Sequence, residues 1–264
     1  MAGAVHGLAS GFAFASFLLV LLTLFVPLRL PGKPGWPEAV MVLTATLATL
    51  VSCSRRLPAQ NVMLAAGVIG LMGGTVHVVG AATAIPFGPF SYTDSAGPRI
   101  FGTLAWPIPF VWIIVILNSR DVARLILRPW RKLRSYGFWL MGITVALAVL
   151  FDAALEPFAA SVKRYWLWHP TRLPLTWGGA PVTNFLGWLV TALLTLAFAT
   201  PALIDKRQQR STNRPPDYHP LVVWLLAVTL FGVGAATHHL WPAVIYCVAA
   251  SLAVTVFAIR GAKW

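Results

Sequence analysis

Apolar runs of about the length that crosses a bilayer, separated by short polar segments, recur along this sequence and limit what it can fold into. Candidate spans fall at 5–28, 38–54, 61–84, 102–118, 137–160, 182–204, 219–237 and 241–259. A helix needs ~20 apolar residues to traverse the hydrocarbon core, and no water-facing fold can hide so many runs of that kind. Hydrophobic residues make up 58% of the chain and charged residues 10%, against about 25% charged in an ordinary soluble domain. A soluble enzyme and a disordered protein are excluded. So is a secreted disulfide scaffold, since the 2 cysteines show neither framework nor metal spacing. The expected fold is all-α: a polytopic helical membrane protein with seven or eight transmembrane helices and Gly/Pro-rich outer loops, residues 1–264 forming a single transmembrane domain. The first run has no Lys or Arg before it, unlike a cleaved signal peptide, and is expected to stay as a helix. His238, His239, Trp241 and Pro242 form either a tight turn or a bend in one long segment, which leaves the count at seven or eight.

The formal net charge is +13. In a soluble chain this would point to nucleic acid; in a membrane chain it points to basic loops resting on an anionic lipid surface, with no nucleic-acid partner. Arg55, Arg56, Arg120, Arg124, Arg128, Arg131, Lys132, Arg134, Lys206, Arg207, Arg210, Arg214, Arg260 and Lys263 fall on one side of the expected bundle. Only Arg29, Lys33, Arg99, Lys163, Arg164 and Arg172 fall on the other. The positive-inside rule then places both termini in the cytoplasm, in a bacterial inner membrane, with 85–101 and 161–181 as outer loops.

Charged groups at membrane depth cost ~2.5–3.5 kcal/mol on insertion scales and need a reason to be there. Glu38, Asp94, Asp121, Asp205 and Asp217 are expected at span ends or in loops. Asp152 and Glu156 lie inside the fifth run, four residues apart and so on one helical face. Pro157 follows and loosens the helix. Two carboxyl groups sharing a low-dielectric site cannot both ionise freely, so one can keep its proton while the other is charged, as acid/base chemistry requires. A structural ion pair with Lys163, Arg164 or Arg99 is the alternative. His77 lies at a similar depth in the third run, below Gly70 and Gly74 on the same face. It should face a cavity or a helix partner, where a hydrogen bond across the interface would suffice to explain it. The outer segments 85–99 and 165–188 are rich in Pro, Gly and aromatic residues, a composition tolerated at membrane depth where it lines a cavity. Their aromatic faces could stabilise a cation. The histidine spacing gives no metal site, and metal ligands: none are expected.

These segments carry a resemblance. Gly80, Pro86-Phe87-Gly88, Tyr92-Thr93, the pair Asp152 and Glu156-Pro157, Trp166-Leu167-Trp168, and Pro181-Val182-Thr183-Asn184-Phe185-Leu186-Gly187-Trp188 follow one another in an order similar to the membrane carotenoid-biosynthesis family that includes gamma-carotene hydratase and bisanhydrobacterioruberin hydratase. The similarity is strongest over 60–200. One position departs from the family pattern: His77 stands where a Glu is expected. The resemblance implies a lyase of isoprenoid metabolism, a carotenoid hydratase that adds water to the terminal double bond of an acyclic carotenoid end group. It implies a lipophilic substrate taken from the membrane, and other carotenoid-biosynthesis enzymes as partners. It also implies Asp152 as the acid, Glu156 as the group that orients and deprotonates water, and His77 able to exchange roles with either. Phe87, Tyr92, Trp166, Trp168 and Asn184 would bind substrate, shield the cation and hold water. Hydration transfers no electrons, so no redox cofactor is expected. A non-catalytic carotenoid-binding or scaffold subunit would keep the pocket without the reaction. A small transporter should show broken helices in both halves, and here the polar and Gly/Pro-rich features cluster in 70–188.

Overall fold

A computed structural model describes residues 2–26, 35–171, 173, 175–204 and 215–264. Arg29, Lys33, Arg172, Asp205, Lys206, Arg207, Arg210 and Arg214, counted above, lie outside the described residues. The long helices are α1 (Ala2–Thr23), α2 (Trp36–Ser54), α3 (Ala59–Thr83), α4 (Ile108–Ile126), α5 (Tyr136–Glu156), α6 (Val182–Ala199), α7 (His219–Thr237) and α8 (Trp241–Ala262). Among the described residues, seven helices are long and apolar enough to cross a membrane. The eighth, α4, is the centre of the bundle: it packs against α2, α3, α5, α7 and α8. Trp112, Val115, Ile116 and Leu117 are fully or almost fully buried along it.

The central place of α4 corrects one expectation. Asp121, expected above at a span end or in a loop where solvation is easy, is inside α4 and buried, as are Arg120 and Asn118. Arg56 from the α2–α3 turn forms an ion pair with Asp121, and Arg120 Nη2 donates to the Leu203 carbonyl at 3.0 Å. An apolar run that stops early reads as a span end, but a helix enclosed on all sides can bury its polar end when partners satisfy it. The two cysteines, Cys53 and Cys247, are free and buried.

At the opposite end of the bundle the Gly/Pro-rich segments fold into antiparallel two-stranded ribbons rather than open loops. β1 (Phe90–Tyr92) pairs with β4 (Trp166–Trp168), β2 (Arg99–Ile100) with β3 (Leu104–Ala105), and β5 (Thr176–Trp177) with β6 (Ala180–Pro181). The first ribbon joins the two aromatic segments in register, Phe90 opposite Trp168 and Tyr92 opposite Trp166. Pro157 does not break α5; the chain continues through a π-helical stretch, Pro157–Val162. Lacking an N–H, Pro157 cannot bond the Ala153 carbonyl one turn back, and the Trp177 indole donates to that carbonyl instead at 2.8 Å. The substitution of donors ties the third ribbon to the end of α5.

Candidate active site

The site forms where α3, α5 and α6 meet the first ribbon. Phe87 is its wedge. A Cβ on Gly80 of α3 would stand 2.8 Å from Phe87 Cδ2, and one on Gly187 of α6 would stand 2.6 Å from Cδ1. Both glycines are therefore needed for the ring to enter between the two helices. The Thr183 hydroxyl donates to the Phe87 carbonyl at 3.1 Å, which anchors the turn to α6. Gly80, the Pro-Phe-Gly segment and the Asn-Phe-Leu-Gly segment thus work as one packing unit.

That unit brings Asn184 against α5. Asn184 Nδ2 donates to Asp152 Oδ2 at 2.7 Å and to Glu156 Oε1 at 3.0 Å. The indole nitrogens of Trp166 and Trp168 donate to Glu156 Oε2 at 3.1 and 2.9 Å. Glu156 therefore receives three N–H bonds, one from α6 and two from β4. Asp152 Oδ1 is buried with no hydrogen-bond partner among the described residues. The ion-pair alternative does not hold among the described residues. Lys163 bonds Glu38 at 2.6 Å, and Arg99 donates to the Tyr92 carbonyl at 2.8 Å and lies 3.9 Å from Asp94. The carboxyl pair is held by neutral donors alone.

His77 joins the site from α3 without touching the carboxyl groups. Its Nδ1 is 2.9 Å from Tyr92 Oη, and its ring lies 4.5 Å from Phe87, 6.2 Å from Phe90 and 6.1 Å from Trp112, centre to centre. Burial, and then the nearby Glu156 carboxyl, hold the Tyr92 phenol well above its ordinary range, so it stays a neutral partner for His77.

These groups open on an apolar cavity of about 650 Å³. Glu156, Asn184, His77, Tyr92, Trp166, Trp168 and Phe87 all line it; Asp152 does not. Fully buried, Asp152 stands behind Glu156 and Asn184. Of the two carboxyl groups, Glu156 is the one that faces open space. Phe90, Trp112 and Trp188 also line the cavity; Trp188 is named above only as the end of a motif, and Phe90 and Trp112 are not singled out in the sequence. Trp112 stacks on Trp188 with ring centres 4.3 Å apart. The available signal was Gly73, where a Cβ would come within 2.4 Å of Trp112 Cγ. Among the described residues no group of three or more His, Cys, Asp or Glu side chains is placed to hold a metal ion.

The fold and site define a helical membrane protein with a buried carboxyl pair beside an apolar, aromatic-lined cavity. Residues 37–254 match the family model described as "Carotenoid biosynthesis protein", and the chain belongs to that family. It is also 28% identical over 116 residues to the bisanhydrobacterioruberin hydratase of Haloarcula japonica. The matched stretch spans 44% of this chain and 37% of that relative. No solved structure matches the chain. Seven membrane-length apolar helices among the described residues make it an integral membrane member of that family.

Proposed function

We propose that the protein is a carotenoid hydratase, adding water to the terminal double bond of an acyclic carotenoid end group. The observation that carries this reading is Glu156, a carboxyl group in the wall of an apolar cavity whose oxygens are met by three N–H donors. Protonating a trisubstituted alkene breaks the acid's O–H bond, forms a C–H bond and leaves a tertiary carbocation. The carboxylate left behind is stabilised by donors that are already in place and need not reorient, the condition under which such groups lower a barrier most. Glu156 is therefore the proton donor in this reading. Asp152, behind it, is the second carboxyl, coupled through the shared Asn184 amide, and the roles expected from the sequence are exchanged. The aromatic rings of Phe90, Tyr92 and Trp168 shelter the cation until water adds at its more substituted carbon. The oxonium then returns a proton to the carboxyl pair, which closes the proton count with no change in oxidation state.

The similarity to a relative named as a hydratase supports the reaction class. The basic end of the bundle, with Arg56, Arg120 and Arg124, supports a cytoplasmic location for both termini in a bacterial inner membrane, with the ribbons and the site toward the outer face. In cells that accumulate an acyclic carotenoid, the protein should produce a pigment heavier by one water and bearing a tertiary hydroxyl. Unchanged pigment in cells containing the folded, inserted protein would overturn the reading.

A further inference from the structure

The cavity does not end at the carboxyl site. Its wall also includes α2, where Ala39, Val42 and Ala45 line it at three-residue spacing. Val111 and Val115 of α4 and Ala227 of α7 line the cavity as well, and both helices pack against α2. From Trp36 at the ribbon end to Ala45, the lined face of α2 extends roughly 13 Å at 1.5 Å per residue. The charged residues of the cavity wall are Glu38, Asp94, Lys163 and Glu156; the one on α2, Glu38, lies in its first turn and is paired with Lys163, so from Ala39 to Ala45 the arm along α2 has uncharged walls. Interiors are normally packed to crystal-like density, and an apolar void is unfavourable in proportion to its volume. Alanines on α2 and α7 that leave such a space open at membrane depth call for an occupant.

We propose that this arm seats the straight hydrocarbon chain of the substrate whose end group meets Glu156, and that Ala45 and Ala227 set how far the chain enters. The direction of the chain rests on the reading of Glu156 as the reacting end. The ligand class, a long uncharged polyene, rests on the arm's walls and on its continuity with the site. A rigid polyene needs an unobstructed path, and an added side chain blocks it; a short ligand that fills only the carboxyl end is indifferent to the same change.

The purified protein is titrated with a long linear polyene hydrocarbon and, separately, with a short acyclic isoprenoid bearing the same terminal alkene. Binding is read by quenching or displacement against tryptophan fluorescence. Ala45→Leu and Ala227→Leu, on different helices, should each weaken the long ligand by about tenfold or more and leave the short one within about twofold. Retained binding of the short ligand certifies the fold, and Ala45→Val gives a graded, milder version. Equal weakening of both ligands, or no change in either, would overturn the proposal. Release of a tightly held phospholipid with unchanged polyene affinity would also overturn it, since the arm would then be an acyl-chain site. A wild-type protein that binds the polyene through this arm and yields no alcohol would sink the hydratase reading while upholding the arm.

Discussion

At the scale of single residues, one amide links the two carboxyl groups. Asn184 donates from the same nitrogen to both carboxyl groups, and the two indoles on Glu156 Oε2 complete its surroundings. Trp168→Phe keeps most of the ring and removes one N–H. If that donor stabilises the carboxylate left by proton donation, kcat should fall by about 10²-fold while KM moves little; a change in KM alone would assign Trp168 to substrate packing. The candidate residues were legible because charge, amide and indole stand out in an apolar run. Which carboxyl would face the cavity was not. Spacing of i, i+4 puts Asp152 and Glu156 on one face, but the turn that opens on free space is fixed by where β4 and α6 dock, which lies outside the local pattern.

At the scale of elements, close contacts rather than polar groups hold the site together. Gly73 sits under Trp112, itself stacked on Trp188, so Gly73→Ala must displace a ring that lines the cavity. Gly261 of α8 lies at the other end of the bundle, where a Cβ would come within 2.2 Å of the Leu125 carbonyl oxygen of α4. Both alanine variants should lower stability by about 1–3 kcal/mol, measured by thermal unfolding in detergent. Only Gly73→Ala should also reduce turnover per folded molecule; equal turnover losses in both would mean that the bundle, not the Trp112 wall, limits activity. The sequence revealed the small-residue face of α3 and the existence of seven or eight helices. It did not reveal that α4 is enclosed. Asn118, Ser119, Arg120 and Asp121 look like a span end, and partners distant in sequence, among them Thr49, Arg56 and Leu203, make that end a buried one. The pairing of β1 with β4 was equally illegible, because it joins segments more than seventy residues apart.

At the scale of the whole molecule, basic groups gather at one end and the ribbons and carboxyl pair at the other. If the basic end is cytoplasmic, a cysteine in place of exposed Ser91 on β1 should react with a membrane-impermeant thiol reagent applied to intact cells. Reaction only after lysis would invert the orientation. The central claim is that Glu156, the carboxyl in the cavity wall, gives the proton that starts hydration. Its most direct test is Glu156→Gln, which keeps size and hydrogen-bonding capacity but cannot donate a carboxylic proton. In cells supplying the acyclic carotenoid, the wild-type protein should form the tertiary alcohol and the Glu156→Gln protein should form about 10²-fold less or none, while still inserting and retaining polyene. Alcohol formation at the wild-type rate by the folded Glu156→Gln protein would contradict the account.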